Sequence, residues 1–466
     1  MTRPGSRKPE NGKQREGKKA GSLQRMPDAR EIAADILMEV LEKKQYSHVV
    51  LLNALKKYQY LEKQERSFIK RVVDGTLERL MQIDFIIESF SSTPLRKMKP
   101  TVRTILRMGV YQICYMDRVP DSAACNEAVK LTVKRGFSGL KGFVNGVLRN
   151  IARNIEDIKY PVNEEKKLSV NYSMPEWIIK LWTQEYGINK TKEMLTSIYS
   201  DRRTTVRVNT GRVTVEEVIS ILENSGVKVE KSPLYDKALL IWDYDNLNSL
   251  EAFLKGMITV QDLSSMMAGL SANPKKGDYI IDVCAAPGGK TMHMADIMGQ
   301  TGMVDSRDLT PYKISLINEN ISRMGYKNIK TTVMDATVLD EKSIEAADVV
   351  MADLPCSGLG VMGKKNDIKY NVSLAQIKEL VKLQRQILQV SCKYLKKGGT
   401  LVFSTCTVNK YENDENVRWI TENLPLTPVS LAGILPKQLG GDKGYVQIYP
   451  GEYGMDGFFV SAFKKI

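Results

Sequence analysis

The fold of the second half of the chain is decided by the segment Val349-Val350-Met351-Ala352-Asp353-Leu354-Pro355-Cys356-Ser357-Gly358-Leu359-Gly360. Its first four residues form an apolar run, which is typical of a short buried strand. Pro355 ends that strand because it has no N–H to donate to a neighbouring strand. The resulting turn carries the Asp353 carboxylate and the Cys356 thiol at the sheet edge where open α/β folds bind ligands.

Strands and helices alternate around this segment from about residue 257 onward. The pattern predicts strands at 279–283, 302–305, 330–334, 348–353, 400–405 and 458–463, and helices at 290–298, 311–324, 374–395 and 412–423. Such alternation indicates a mostly parallel sheet with helices on both faces. We therefore predict an α/β domain over residues 257–466.

The region before residue 160 has a different pattern. Apolar residues recur at helical spacing after Asp28, which we expect to cap the first helix. Further helices are predicted near 48–59, 63–80, 82–89, 99–116, 121–135 and 139–153. Short helices joined by short turns are typical of a compact bundle, so we predict an all-α domain over residues 28–160.

Two shorter regions connect these domains. Residues 161–203 are predicted to form a helical connector in which Trp182 belongs to the core. Residues 204–256 show a β-α-β-β order, which suggests a small α/β module similar to an RNA-recognition fold. The module lacks an aromatic-rich strand, which argues against base stacking on its sheet.

Composition limits the class of protein. A hydrophobic content of 42% and a charged content of 26% are typical of a globular protein. No apolar run approaches the ~20 residues that span a bilayer, and the N-terminus lacks the apolar core of a secretory signal. We therefore expect a cytoplasmic protein that does not enter a membrane. We also expect it to be a monomer.

The net charge of +14 indicates a polyanionic partner, most simply nucleic acid. Residues 1–27 hold eight Lys and Arg residues against two acids, and they contain few apolar side chains. This segment is predicted to be a disordered basic tail. The six cysteines include no CxxC pair and the chain has two histidines, so we expect free thiols and no metal site.

The first predicted strand of the α/β domain runs into the segment Asp282-Val283-Cys284-Ala285-Ala286-Pro287-Gly288-Gly289-Lys290-Thr291. Its small residues let a ligand approach the backbone, and the next helix offers free N–H groups at its N-terminus. A phosphate-binding P-loop would need a glycine where Cys284 stands. GxGxxG is absent as well, so we expect a nucleoside ligand with little or no phosphate.

Two acids follow the next two predicted strands. Asp308 comes about two dozen residues after the loop, where an acid can accept hydrogen bonds from ribose hydroxyls. Asp335 follows the third strand, where it can hold an adenine amino group. Together with the loop at 282–291, these acids predict a pocket for S-adenosylmethionine.

A second cysteine stands at the end of the predicted strand 400–405, in the phrase Phe403-Ser404-Thr405-Cys406-Thr407. Parallel strands of one sheet have their carboxyl ends at the same edge. Asp353, Cys356 and Cys406 therefore face one pocket if strands 348–353 and 400–405 are neighbours. We predict that the two cysteines form a functional pair.

The all-α region resembles the NusB domain, an RNA-binding helical module, over roughly residues 28–155. The resemblance rests on Tyr111-Gln112-Ile113, on Val119-Pro120-Asp121-Ser122-Ala123-Ala124-Cys125-Asn126-Glu127-Ala128-Val129, and on Lys141-Gly142-Phe143-Val144-Asn145-Gly146-Val147-Leu148-Arg149-Asn150. The resemblance implies that this domain contacts RNA.

The α/β region resembles the RNA cytosine-C5 methyltransferases of the Sun/NOP2 type. The resemblance rests on CAAPGGKT at 284–291, DLPCSGLG at 353–360, STCT at 404–407 with Glu412-Asn413, and DGFF at 456–459. With the NusB-like domain, it narrows to Sun-type enzymes of the small ribosomal subunit. It implies a Rossmann-like class I methyltransferase fold, S-adenosylmethionine as cofactor and small-subunit ribosomal RNA as partner.

The resemblance also implies roles for individual residues. Cys406 would be the nucleophile, Cys356 would assist product release, and Asp353 would contact N3 of the cytosine. The residues that bind the methyl donor or lie against it would be Cys284, Ala285, Ala286, Pro287, Gly288, Gly289, Lys290, Asp308, Lys313, Asp335 and Asp353. The stretch 363–369 resembles a basic phrase of these enzymes, without the proline that they carry before Asp367.

Two alternatives stay open on the sequence alone. The nucleophile could be Cys356, the cysteine after a proline, as in DNA cytosine-C5 methyltransferases, with tRNA or DNA as the substrate. The chain could also be a non-catalytic NusB-like factor that binds RNA in antitermination. The intact set of Lys290, Asp353, Cys356 and Cys406 favours an enzyme.

Overall fold

The computed structural model describes residues 27–200 and 203–466. The helices are α1 Ala29–Leu41, α2 Ser47–Lys57, α3 Lys63–Glu78, α4 Leu80–Phe90, α5 Pro100–Tyr115, α6 Asp121–Lys134, α7 Lys141–Asn154, α8 Glu164–Asn171, α9 Glu176–Ile198, α10 Val215–Asn224, α11 Glu251–Leu254, α12 Leu263–Ser271, α13 Gly289–Ile297, α14 Pro311–Met324, α15 Ile368–Asn371, α16 Leu374–Tyr394 and α17 Asp414–Asn423. The predicted tail at 1–27 lies, except for Pro27, outside the described residues.

The same residues contain strands β1 Thr204–Val208, β2 Lys228–Lys231, β3 Ala238–Trp242, β4 Ile258–Val260, β5 Tyr279–Asp282, β6 Met303–Asp308, β7 Ile329–Val333, β8 Ala347–Asp353, β9 Leu395–Thr405, β10 Leu426–Pro428, β11 Tyr445–Ile448 and β12 Phe458–Lys465. Across the two described ranges, no helix has the length and apolarity needed to cross a bilayer.

Helices α1–α7 form the predicted all-α domain around one apolar core. Asp28 caps α1, as the sequence predicted, because its carboxylate accepts hydrogen bonds from the backbone N–H groups of Arg30 and Glu31. The Glu31 carboxylate in turn accepts from the Asp28 N–H, which completes a capping box.

The connector α8–α9 packs against the α/β domain. Trp182 of α9 is buried, as predicted for a core residue, and its indole N–H donates to the carbonyl oxygen of Val408 at 3.0 Å. Leu359 and Val408, from the loops after β8 and β9, share its apolar cluster. The connector therefore supports the two loops that follow the candidate cysteine strands.

The small middle module is a four-stranded antiparallel sheet with the strand order β2-β3-β1-β4. Its first three strands and α10 match the predicted β-α-β-β order. The fourth strand, β4, has three residues and comes after residue 256. Arg207 of β1 pairs with Asp296 of α13 at 3.2 Å in a buried contact, which attaches the module to the α/β domain.

The large sheet has the order β10-β12-β9-β8-β5-β6-β7, with β11 paired to β12. Strands β9, β8, β5, β6 and β7 are parallel, and β12 is antiparallel to β9. Apolar clusters cover the sheet on both faces, so the predicted Rossmann-like architecture is present. The sequence pattern missed the short strands β10 and β11.

The all-α domain meets the α/β domain at the C-terminus of α3. The last carbonyl groups of a helix have no partner within it. Here Lys369 donates from Nζ to the carbonyl oxygen of Glu78 at 2.9 Å, and the Tyr370 hydroxyl donates to that of Leu77 at 3.0 Å. Burial lowers the pKa of Lys369 to about 7, so this joint holds an amine that resists protonation.

The joint predicts a specific pH dependence of stability. Between pH 7 and about 10.5, the unfolded chain binds a proton at Lys369 that the folded chain does not, so the free energy of unfolding should rise with pH. Lys369→Met should remove this rise and stabilise the protein by about 2 kcal/mol at pH 6. Urea unfolding from pH 6 to 10 measures both effects. Lys378→Met, at an exposed position on α16, is the control. If the free energy of unfolding changes with pH in the same way in Lys369→Met and wild type, the prediction is wrong.

Candidate active site

The candidate site lies where the direction of strand order changes in the large sheet. From β5 the chain continues outward to β6 and β7, and from β8 it continues to the opposite side through β9. The carboxyl ends of β5 and β8 therefore flank a switch point, which is where open α/β sheets bind ligands. The predicted loop at 284–290 and Asp353 both lie at this edge.

The loop after β5 is held close to the next strand. The Ala285 N–H donates to the carbonyl oxygen of Arg307 on β6 at 2.9 Å. Gly288 has a φ of 100°, which favours glycine, and a Cβ there would approach side-chain atoms of Ile317 and Met292 at 3.3 Å. Helix α13 begins at Gly289 without a side-chain cap, so its first N–H groups are free for a ligand.

Asp308 lies at the end of β6, as predicted, and is buried against the same loop. Its carboxylate accepts a hydrogen bond from the Ala286 N–H at 2.9 Å and lies 2.9 Å from Lys313 Nζ. The structure therefore brings together three of the predicted donor-binding elements: the loop, Asp308 and Lys313.

Asp335 has a different setting because it is exposed in the turn after β7. Its carboxylate accepts hydrogen bonds from the N–H and hydroxyl of Thr337, at 2.9 and 2.7 Å. These two hydrogen bonds lower the pKa of Asp335. The carboxylate is thus held by its own turn rather than by the other predicted residues.

Lys290 and Asp353 form an ion pair that the sequence did not indicate. Lys290 Nζ lies 2.6 Å from Asp353 Oδ2, and the Ser404 hydroxyl donates to Asp353 Oδ1 at 2.8 Å. The register of β8 against β9 places Asp353 beside Ser404. The pair therefore joins the donor loop to the ends of both cysteine strands.

Sequence reasoning did not assign Asp282 a role, although it quoted the residue. The side chain is buried at the end of β5 and accepts a hydrogen bond from the Thr291 hydroxyl at 2.7 Å. Burial raises the pKa of Asp282 to about 7. The position of an acid at the end of the first strand was the available signal, but it does not reveal how deeply the carboxyl group is buried.

The two candidate cysteines are in direct contact. Strands β8 and β9 are neighbours, as the prediction required, and the Cys356 and Cys406 sulfurs lie 3.2 Å apart. The contact with Cys356 lowers the pKa of Cys406; burial and the Asp353 charge act in the opposite direction, and the Lys290 and Lys365 charges add to the lowering. The same contact, with burial, raises the pKa of Cys356. The Glu412 charge raises the pKa of Cys356 further, whereas Lys290 and Lys365 offset the Asp353 charge at Cys406, so we assign the more acidic thiol to Cys406.

A buried carboxyl group holds the loop that carries Cys356. Glu412 accepts hydrogen bonds from the Ser357 N–H at 2.9 Å, from the Ser357 hydroxyl, from Gln384 Nε2 at 3.0 Å and from Asn409 Nδ2. These donors come from the loop after β8, from α16 and from the loop after β9. Sequence reasoning quoted Glu412-Asn413 as part of a resemblance but did not find this role.

Two glycines allow the cysteine loops to meet the last strand. The Gly360 N–H donates to the carbonyl oxygen of Cys406 at 3.1 Å, and the Gly457 N–H donates to that of Gly360 at 2.9 Å. A Cβ on Gly360 would lie 2.0 Å from the Gly457 carbonyl oxygen. Gly457, the second residue of the DGFF phrase at 456–459, is therefore required for packing at the site.

The residues at this edge fit S-adenosylmethionine. Free N–H groups at the start of α13 and the carboxylates of Asp308 and Asp335 are hydrogen-bonding groups suited to an amino acid and a nucleoside. The Asp353 carboxylate stands between this loop and the cysteines. Among the residues with described coordinates, no cluster of His, Cys, Asp and Glu side chains is arranged to hold a metal ion.

Three protein families match successive parts of the chain. Residues 27–153 match the NusB family. Residues 174–244 match a ferredoxin-like domain of RsmF/B-like methyltransferases. Residues 270–464 match the family described as 16S rRNA methyltransferase RsmB/F.

Relatives match nearly the whole length of the chain. The chain is 35% identical to the probable ribosomal RNA small subunit methyltransferase B of Bacillus subtilis, covering 94% of this chain and 98% of the relative. It is 32% identical to the corresponding Synechocystis protein, covering 94% and 100%. The crystal structure of PH0851 superposes with a TM-score of 0.79 at 28% identity, covering 94% of this chain and 99% of that one.

The Glu412 contacts predict a large effect of a small change. Glu412→Gln keeps the shape but replaces one acceptor oxygen by an NH₂ group that faces other donors. We expect the free energy of unfolding to fall by about 2 kcal/mol and the two active-site thiols to react faster with iodoacetamide. Urea unfolding and mass spectrometry of alkylated peptides measure these changes. The exposed Glu422→Gln on α17 is the control. Wild-type stability and thiol reactivity in Glu412→Gln would rule out the anchoring role.

Proposed function

Because this chain belongs to the RsmB family of S-adenosylmethionine-dependent small-subunit ribosomal RNA methyltransferases, we propose that it methylates C5 of a cytosine in that RNA. The reaction proceeds through a covalent bond between Cys406 and C6 of the base. The observation that carries the proposal is the contact of the Cys356 and Cys406 sulfurs beside the Lys290–Asp353 pair.

Covalent catalysis answers the main chemical difficulty of this reaction. C5 of cytosine is a poor nucleophile, but addition of a thiolate to C6 makes the ring an enamine in which C5 is electron-rich. S-adenosylmethionine supplies, when bound, the electrophilic methyl group that C5 accepts. The protein must therefore provide a thiolate, a group that stabilises the added charge, and a route for release.

Cys406 is the better candidate for the attacking thiolate. The contact with Cys356 lowers the pKa of Cys406 against the opposing effects of burial and Asp353, whereas the same contact, burial and the Glu412 charge raise the pKa of Cys356. This asymmetry supports the assignment that the family resemblance implies. It argues against the alternative in which Cys356 is the nucleophile on DNA or tRNA.

Asp353 and Cys356 complete the proposed reaction. As the Cys406 sulfur adds to C6, negative charge develops at N3, which takes up a proton from solvent. The Asp353 carboxylate accepts a hydrogen bond from the resulting N3–H and so favours the protonated adduct. The Lys290–Asp353 contact holds the carboxylate in place before the base arrives. After methylation the C5 proton passes to a solvent base, and its electron pair forms the C5–C6 double bond. Cys406 leaves C6 as a thiolate, and N3 returns its added proton to solvent. Cys356, in contact with the departing sulfur, assists this release.

The target base must leave its stack to reach Cys406. The NusB-like domain and the basic surface of the protein hold the RNA through its phosphates. RNA binding by one domain and methyl transfer by the other would explain why a helical RNA-binding module is joined to a methyltransferase. The competing hypothesis is a binding protein without activity. A methyl-transfer assay with radiolabelled donor and unmodified small-subunit RNA tests it, and no incorporation of label would favour it.

Substitution of each cysteine separates their roles. Cys406→Ala should form no covalent adduct with RNA and should lose at least about 10³-fold in activity. Cys356→Ala should form an adduct that persists on denaturing gels because release fails. Cys392→Ala, which replaces a buried cysteine of the core, is the control and should behave as wild type. The reverse pattern of adducts would reject the assignment.

Asp353 can be tested by a change that keeps its size. Asp353→Asn should lower kcat by about 10²-fold or more, because the charge that faces the base is lost, with the donor KM changing less. Single-turnover methyl transfer measures the effect. Asp348→Asn, at the opposite end of β8 and paired with Lys396, is the matched control. Equal rates for the two variants would show that Asp353 has no role in the chemistry.

A further inference from the structure

A cavity of about 540 Å³ opens onto the two cysteines and has walls from two domains. Cys356 and Cys406 line it together with residues of α15 and α16. The N-terminal domain contributes Tyr46 and His48, which flank the start of α2. The volume falls within the ~300–1,000 Å³ of sites that enclose a small organic ligand.

Ser47, which lies between Tyr46 and His48, fixes this part of the N-terminal domain to the α/β domain. The Ser47 N–H and hydroxyl donate to the two oxygens of Asp367, at 3.1 and 2.7 Å, in a buried contact. Two hydrogen bonds to one charged group are strong and directional. Tyr46 and His48 are therefore held at the rim of the cavity rather than on an independent surface.

The Tyr46 side chain is not packed into the hydrophobic core of its domain. Its side chain is 63% exposed, whereas Val50 and Leu51 of the same helix are buried. The Tyr46 and His48 rings lie 6.0 Å apart and are tilted by 41°, which gives two adjacent aromatic faces at the cavity rim. An exposed aromatic pair beside a cavity is a surface suited to stacking on a planar ligand.

A positive charge faces the same cavity. Lys365 is exposed and lines it, and burial followed by the Lys365 charge lowers the pKa of His48. The other lysines near Lys365 in the sequence have partners outside the cavity. Lys364 pairs with Asp262 and Asp456, and Lys369 donates to the Glu78 carbonyl oxygen. Aromatic faces next to a cation are the combination that binds single-stranded nucleic acid.

We propose that Tyr46, supported by His48, stacks on a nucleobase adjacent to the target cytosine, while Lys365 binds a phosphate of the same strand. The partner is single-stranded RNA, and the N-terminal domain supplies part of the nucleotide pocket. A flanking base is assigned because Tyr46 stands at the exposed rim and the cysteines lie deeper. The inference rests on the proposed function, since it takes the cysteines to be the reacting groups.

The test compares Tyr46→Ala, Tyr46→Phe and Tyr60→Ala. Tyr60 belongs to the same domain and is 56% exposed, but it does not line the cavity. Tyr46 makes no side-chain cap bond to α2, so its truncation should leave thermal unfolding unchanged. The probe is an unmodified transcript of small-subunit ribosomal RNA, and the readouts are KM for RNA, KM for S-adenosylmethionine and kcat.

We expect Tyr46→Ala to raise KM for RNA about tenfold or more, as loss of one stacked base does, with KM for the donor unchanged. Tyr46→Phe keeps the ring and should stay near wild type, as should Tyr60→Ala. Equal KM values for Tyr46→Ala and Tyr60→Ala overturn the inference while wild-type transfer upholds the proposed function. A lower kcat and melting temperature with unchanged KM also overturn it, because they indicate a structural role.

Retention of labelled transcript on filters, without donor, gives a readout that is independent of methyl transfer. If the wild-type protein transfers no methyl group, the proposed function fails and this measurement decides the stacking inference. Weaker retention for Tyr46→Ala than for Tyr46→Phe and Tyr60→Ala supports stacking. Equal retention for the three variants overturns it.

Discussion

The buried carboxyl group of Glu412 is the interaction on which the geometry of the site depends. It gathers donors from three separate parts of the chain: the loop after β8, helix α16 and the loop after β9. Each of these groups is buried, so each would lose a hydrogen-bond partner without finding water. The positions of the loops that carry Cys356 and follow Cys406 therefore depend on one side chain that touches neither sulfur.

Much of the site could be predicted because parallel strands share an edge. Asp353 ends a predicted strand, Cys406 directly follows one, and Asp308 ends β6, which runs three residues beyond the predicted strand 302–305. The structure gathers all three at one end of the sheet. The contact of the cysteines followed from the adjacency of β8 and β9. The α/β alternation and the helical spacing of the N-terminal domain were similarly visible, because they depend on local periodicity.

What could not be predicted depends on partners that are distant in sequence. Gln384 reaches Glu412 from 28 residues away, and Lys290 reaches Asp353 from 63 residues away. The basic stretch 363–369 shows the same limit. It resembles a basic phrase of the family, but in the structure Lys364 forms ion pairs and Lys369 is buried at the domain joint. The surroundings of each lysine, which the sequence does not reveal, therefore determine what it contacts.

The antiparallel strand β12 carries a consequence for how the chain matures. It lies between β9 and β10 in the sheet, yet it follows both of them in sequence. A chain that emerges from the ribosome in sequence order therefore presents β9 as an unpaired, apolar edge until residues 458–465 arrive. During that interval Gly360 also lacks its contact with Gly457. The strand that leads to Cys406 is consequently an open sheet edge until β12 pairs with it, so the edge of the candidate site is complete only after residues 458–465 have been made.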